Sequence, residues 1–185
     1  MPKTIVVKPR ELYDEEHHRF IQVKETKVVL EHSLLSVKKW ESKFKKPFLV
    51  ENALDTTEKI LYYFECMTIS PQNPDPNLYL CFTQEDIKEL MDYINDPMTA
   101  TWFGEDKRKN KKPFKKEIIT AEVLYWEMIQ LQIPIEFQKW HLNQLLTLIR
   151  VCNAKNNPEK MSKKDILAQN AELNRARHAK MKKPH

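Results

Sequence analysis

A single glycine, Gly104, stands in a chain of 185 residues, where average usage of about 7% would give roughly a dozen. Glycine enters left-handed backbone without a Cβ clash, so a chain almost without it has few places for such backbone. That argues against phosphate-cradling loops, nucleophile elbows and glycine-turned hairpin barrels. Helices joined by proline-, asparagine- and aspartate-rich turns fit the restriction better. The length suits one domain plus an appendage. Hydrophobic residues at 41% supply a core, and charged residues at 31% exceed an average globular share.

The net charge of +5 is unevenly placed. Residues 1–152 hold 22 basic against 23 acidic side chains, whereas residues 153–185 hold 9 against 3, so the whole excess lies in the tail. The body is therefore not a basic protein, and nucleic acid is the lesser partner expectation. Cys66, Cys81 and Cys152 are widely spaced, with no CxxC pair, and each lies among apolar or aromatic residues. Buried free thiols in a reducing cytosol are the expectation. Residues 1–10 lack the apolar centre of a signal peptide, and no stretch approaches the roughly 18 apolar residues of a membrane span. A cytoplasmic workplace without membrane contact is expected.

Alternation at Ile5 and Val7, then at Phe20, Ile21 and Val23, with a third β-rich run at Val28, Val29 and Leu30, predicts a small antiparallel sheet or pair of hairpins. From Ser33 the period becomes helical through Leu34, Val37, Trp40 and Phe44, with Ser33 as N-cap and Pro47 as stop. Asp55-Thr56-Thr57-Glu58 has capping-box form and predicts a second helix. Residues 70–77, SPQNPDPN, cannot continue it, since each proline removes an amide donor and constrains its predecessor. Thr83 then opens a third helix with acids in its first turn, stopped at Asn95-Asp96-Pro97. Residues 104–116 read as an internal lysine-rich loop. Residues 117–131 and 135–152 read as the two longest helices, a hairpin at the centre of the core. A last, weakly apolar helical candidate runs from Ser162 to about Lys180.

No catalytic signature stands out. His17-His18 beside Glu15 and Glu16 suits a solvated turn better than a metal site. His141 reads as a bonded histidine at a core edge, and the paired acids Glu15-Glu16, Glu85-Asp86 and Glu105-Asp106 as turn, loop or first-turn charges. The expectation is a non-enzymatic protein with no metal or cofactor. Candidate partner-binding residues are Trp40, Phe44, Trp102, Phe103, Lys107, Arg108, Arg175 and Arg177, with core burial the default for the aromatic ones.

Four stretches carry a resemblance: LEHSLLSVKKWESKFKKPFL at 30–49, DPMTATWF at 96–103, EIITAEVLYWEMIQLQIPIEFQKWHLNQLLTLIRVCN at 117–153 and NAELNRARHAK at 170–180. They resemble small proteins of tailed bacteriophages assigned as tail assembly chaperones. The resemblance implies a factor that binds the long, apolar tape measure protein in the host cytoplasm before the tail tube polymerises around it. It also implies, in many members, a longer frameshifted product that recruits tail tube protein. It offers no catalytic residues. The rival expectations are a structural virion component, such as a tail or head-to-tail connector protein, and a nucleic-acid-binding accessory protein. The expected fold is mainly α within the α+β class: an N-terminal β hairpin element at 1–32, a helical core domain at 33–152 and a basic helical tail at 153–185. Oligomeric state stays open.

Overall fold

Strand β1 (Lys3–Val7) buries Ile5 and Val7 and turns Val6 to solvent, the two-residue alternation of a half-buried strand. The chain then leaves as a hairpin, β2 (Arg10–Asp14) and β3 (Arg19–Val23), in which Leu12 faces Ile21 and Tyr13 faces Phe20. It returns as β4 (Thr26–Leu30), which pairs antiparallel with β1 from Lys3↔Leu30 to Val7↔Thr26. A short strand β5 (Thr68–Ser70) adds to the other side of β4, giving the order β1-β4-β5. The computed structural model describes residues 2–15, 17–101 and 118–156.

Helix α1 (Leu34–Phe44) starts where Ser33 Oγ accepts the Ser36 amide and Ser36 Oγ accepts the Ser33 amide, a reciprocal cap. It stops at Lys45, which enters left-handed backbone at φ 53° and donates its amide to Glu41 O. Helix α2 (Thr57–Met67) is capped by Thr56, whose hydroxyl accepts the Lys59 amide, one residue later than the Asp55 start suggested by the capping-box pattern. Helix α3 (Gln84–Asn95) opens on a Thr83–Asp86 capping box and ends at the expected stop. Helix α4 (Ala121–Gln130) and helix α5 (Leu142–Asn156) follow.

The expected pair of longest helices is corrected in two respects. Helix α4 has 10 residues and is the shortest of the five α-helices described. The second run breaks: Ile135–Lys139 is a 3-10 turn, and α5 begins only at Leu142. The cause is tertiary, because His141 forms an antiparallel bridge with Ser33 and the Leu142 amide donates to His32 O at 2.7 Å. That extended contact is incompatible with a helix running through Trp140 and His141.

Residues Met1–Arg150 form the first of two units, and of the second, Val151–His185, only residues 151–156 are described. In the first, β strands and helices share a single apolar cluster, with Val28, Leu30, Leu34, Val37, Trp40, Tyr63, Phe64, Leu90, Leu142 and Leu145 wholly buried. The N-terminal β element is thus part of the helical core. Burying a leucine or phenylalanine side chain contributes about 1.5–3 kcal/mol, so these residues dominate stability. Cys66 and Cys81 are buried free thiols, and Cys152 is a half-buried one. With Gly104 outside the described residues, left-handed backbone falls to His18, Lys45, Asn52, Met98 and Gln132.

Candidate functional site

Helix α4 carries large apolar residues on both its buried and its exposed side. Ala121, Leu124 and Met128 point into the core at helical spacing. The opposite side turns Trp126 and Ile129 outward, 60% and 72% exposed, and these two are three residues apart and so neighbours on the surface. The chain bends at Gln132, whose φ is 54°, and passes into the 3-10 turn, where Ile135 and Trp140 are also exposed. Tyr125 Oη donates to Gln138 Oε1 at 2.8 Å and ties the helix to the turn. Phe137 stacks on Trp140 with ring centroids 4.0 Å apart. Ahead of the helix, Ile118 and Ile119 are exposed as well.

Twelve large apolar residues are exposed among those described, and six of them lie between Ile118 and Trp140. The other six are scattered over β1, the β2–β3 hairpin, β5 and the connections. Single exposed apolar residues are ordinary, whereas half of those described fall in this one segment.

The segment is anchored from below. Glu41, buried on α1, accepts the Ala121 amide on Oε2 and the Phe48 amide on Oε1, both at 2.8 Å. One carboxylate therefore fixes the first turn of α4, 80 residues away in sequence. Lys38 of α1 lies over the Tyr125 ring at 5.4 Å from its centre.

Beside this segment lies a buried polar cluster. His141 Nε2 donates to Tyr93 O at 3.1 Å, while its Nδ1 accepts the Asn143 amide at 3.3 Å, which fixes a neutral tautomer. Its ring is 5.0 Å from that of His32. His32 Nδ1 accepts from the Tyr63 hydroxyl, and Tyr93 donates its hydroxyl to Glu31 Oε1. Burial, reinforced by the neighbouring His141 ring, lowers the His32 pKa to about 3, and burial also lowers that of His141. Burial pushes Tyr63 well above the ordinary tyrosine range, so it remains a hydroxyl donor.

The residues singled out from sequence distribute as follows. Trp40 is wholly buried, its indole N–H donating to Lys59 O, and it packs against Phe44 and Phe48. Phe44 is partly buried against the same cluster. Trp40 is thus part of the core, with Phe44 packed beside it. Trp102, Phe103, Lys107, Arg108, Arg175 and Arg177 lie outside the described residues. His17 sits in the expected turn, its Nδ1 bonded to Asp14 Oδ2 at 3.0 Å. Among the described residues no group of three or more His, Cys, Asp or Glu is placed to hold a metal ion. No described helix is long and apolar enough to cross a membrane.

Sequence reasoning missed Trp126, Ile129, Ile135 and Trp140 as surface residues, and missed Glu31 altogether. A signal for the first existed, since α4 carries more large apolar residues than one core-facing stripe accommodates. No family model matches the sequence, and neither the curated proteins nor the solved structures contain a match to it.

Proposed function

We propose that this chain is a non-enzymatic tail assembly chaperone of a tailed bacteriophage, which covers an apolar helical stretch of the tape measure protein until the tail tube forms around it. The observation that supports the reading is a coincidence of position. The longest stretch resembling such chaperones, residues 117–153, contains the six exposed apolar residues between Ile118 and Trp140. A long helical protein with apolar stripes aggregates unless they are covered, and an exposed aromatic and branched-chain face on a rigid support can cover one reversibly. Tryptophan and isoleucine at these positions contribute binding area at small cost in conformational entropy.

Co-expression with the tape measure protein of the same phage tests the reading. The expected result is a soluble complex on size exclusion that is lost in the double variant Trp126→Ser, Ile129→Ser, with an unchanged circular dichroism spectrum. Mass spectrometry of purified virions should find no copy of the chain. Its presence there in stoichiometric amount, or a tape measure protein equally soluble without it, would replace the chaperone reading with that of a structural component.

A further inference from the structure

Among the described residues two glutamates are buried, and they differ in a way that matters. Glu41 has both carboxylate oxygens occupied by backbone amides, so its burial is accounted for by structure. Glu31, 8% exposed, has one oxygen bonded by the Tyr93 hydroxyl, and no described residue donates a hydrogen bond to the other. Among the described residues no cation forms an ion pair with it. Among the described residues no buried side-chain oxygen is left without a hydrogen-bond partner, so this second oxygen is reached by solvent and open to a ligand.

Glu31 also lines two neighbouring cavities. One, of about 310 Å³, has apolar walls from Leu35, Cys66, Met67 and Ile69. The other, of about 290 Å³, is lined by Glu31, Lys139, Trp140, His141 and Gln144. Lys139 borders both and Lys39 the first. Trp140 rests on Phe137 yet stays 43% exposed, and Gln144 is anchored by its amide nitrogen on Met98 O at 3.0 Å, with no hydrogen bond to its carbonyl oxygen from a described residue.

We infer that this cleft receives an arginine side chain of the protein partner, with the guanidinium between the Glu31 carboxylate and the Trp140 ring and its aliphatic stem along the apolar wall. A planar cation that stacks on indole while donating in the plane to a carboxylate and an amide oxygen fits these three groups together. Lysine offers a point charge and no stacking plane. An acidic ligand would face Glu31 directly. The site adjoins the exposed face through Trp140, so the partner segment would present an apolar stripe with an arginine at one margin. The identity of that partner rests on the chaperone reading; the site's chemistry does not.

The test is titration of isotope-labelled full-length protein with N-acetyl-arginine amide, followed by amide and indole shifts. The expected result is saturable binding, in the millimolar range for so small a ligand, with shifts at Glu31, Trp140, His141 and Gln144. N-acetyl-lysine amide should bind more weakly and N-acetyl-glutamate amide not at all. Glu31→Gln keeps the acceptor for Tyr93 and the side-chain volume, and should weaken binding about tenfold. Trp140→Ala, an exposed position, should weaken it as well. Lys139→Gln removes a like charge and should strengthen binding about twofold. Absence of saturable shifts, indifference to Glu31→Gln, or weaker binding in Lys139→Gln would overturn the assignment. Binding of the capped arginine with no binding of the tape measure protein would leave the site standing and remove the chaperone reading. The reverse result, with Glu31→Gln still holding the tape measure protein fully, would remove the site alone.

Discussion

Acid should weaken this fold through one ring. In the folded chain His32 stays neutral down to about pH 3, because burial and the adjacent His141 disfavour its charged form. In the unfolded chain it takes a proton below its ordinary value of 6.5. The unfolded state therefore binds the extra proton between those limits, and stability is complete above about pH 6.5 and lost progressively toward pH 3. Each pH unit well inside that window costs about 1.4 kcal/mol, so the loss from His32 at pH 5 is about 2 kcal/mol. His141, lowered by burial, adds to it in the same direction. The perturbation is His32→Asn, whose side-chain oxygen can still accept from the Tyr63 hydroxyl but cannot titrate. Urea unfolding at pH 7.5 and pH 5, followed by circular dichroism, gives the comparison. The natural chain should lose about 2 kcal/mol more than the variant on acidification. Equal losses in the two proteins would refute the reasoning, since the proton would then be binding elsewhere.

Glu41→Gln should cost about 2–3 kcal/mol in urea unfolding, because one of two buried amides then faces an amide donor in place of an acceptor. Thr83→Ala should cost about 1 kcal/mol in the same measurement by removing the hydroxyl that accepts the Asp86 amide. Lys45→Gly should raise the thermal midpoint, with a gain of up to about 1 kcal/mol, since φ 53° suits a residue without Cβ. A thiol reagent at pH 8 should modify half-buried Cys152 first. Cys66, pushed up to about 11 by burial, and Cys81, also raised by burial, should react only as the chain unfolds.

Local signals are legible where the physics is local. Ser33 and Thr83 are recognisable as caps because their partners lie three residues away, and Asn95 to Pro97 as a stop because proline acts on its neighbours. The first and third β-rich runs are legible as strands, whereas their pairing with each other is shown only by the fold. Strand β5 is hidden: three residues show no period, and its strand character comes from pairing with β4. The break before α5 is hidden too, because apolar spacing through Phe137, Trp140 and Leu145 reads as helical while the cause of the break is a bridge to Ser33. Of the candidate surface, α4 itself is readable, but which face it buries depends on what Glu41 and Leu124 meet in space. Glu31 stands beside a β-rich run and a helix cap, where an acidic residue would pass as solvated. Only the folded chain places it in the interior.

The crossing of His32 and Ser33 with His141 and Leu142 makes distant parts of the sequence hold one another through backbone, not through a sequence-local motif. A backbone break introduced between Thr101 and Ile118 would leave both partners of that crossing, and both partners of the Glu41 to Ala121 bond, on separate pieces that retain their binding groups. The protein is in this sense already written as two complementary fragments. Expressed apart and mixed, they should reconstitute the apolar segment of the second on the framework of the first.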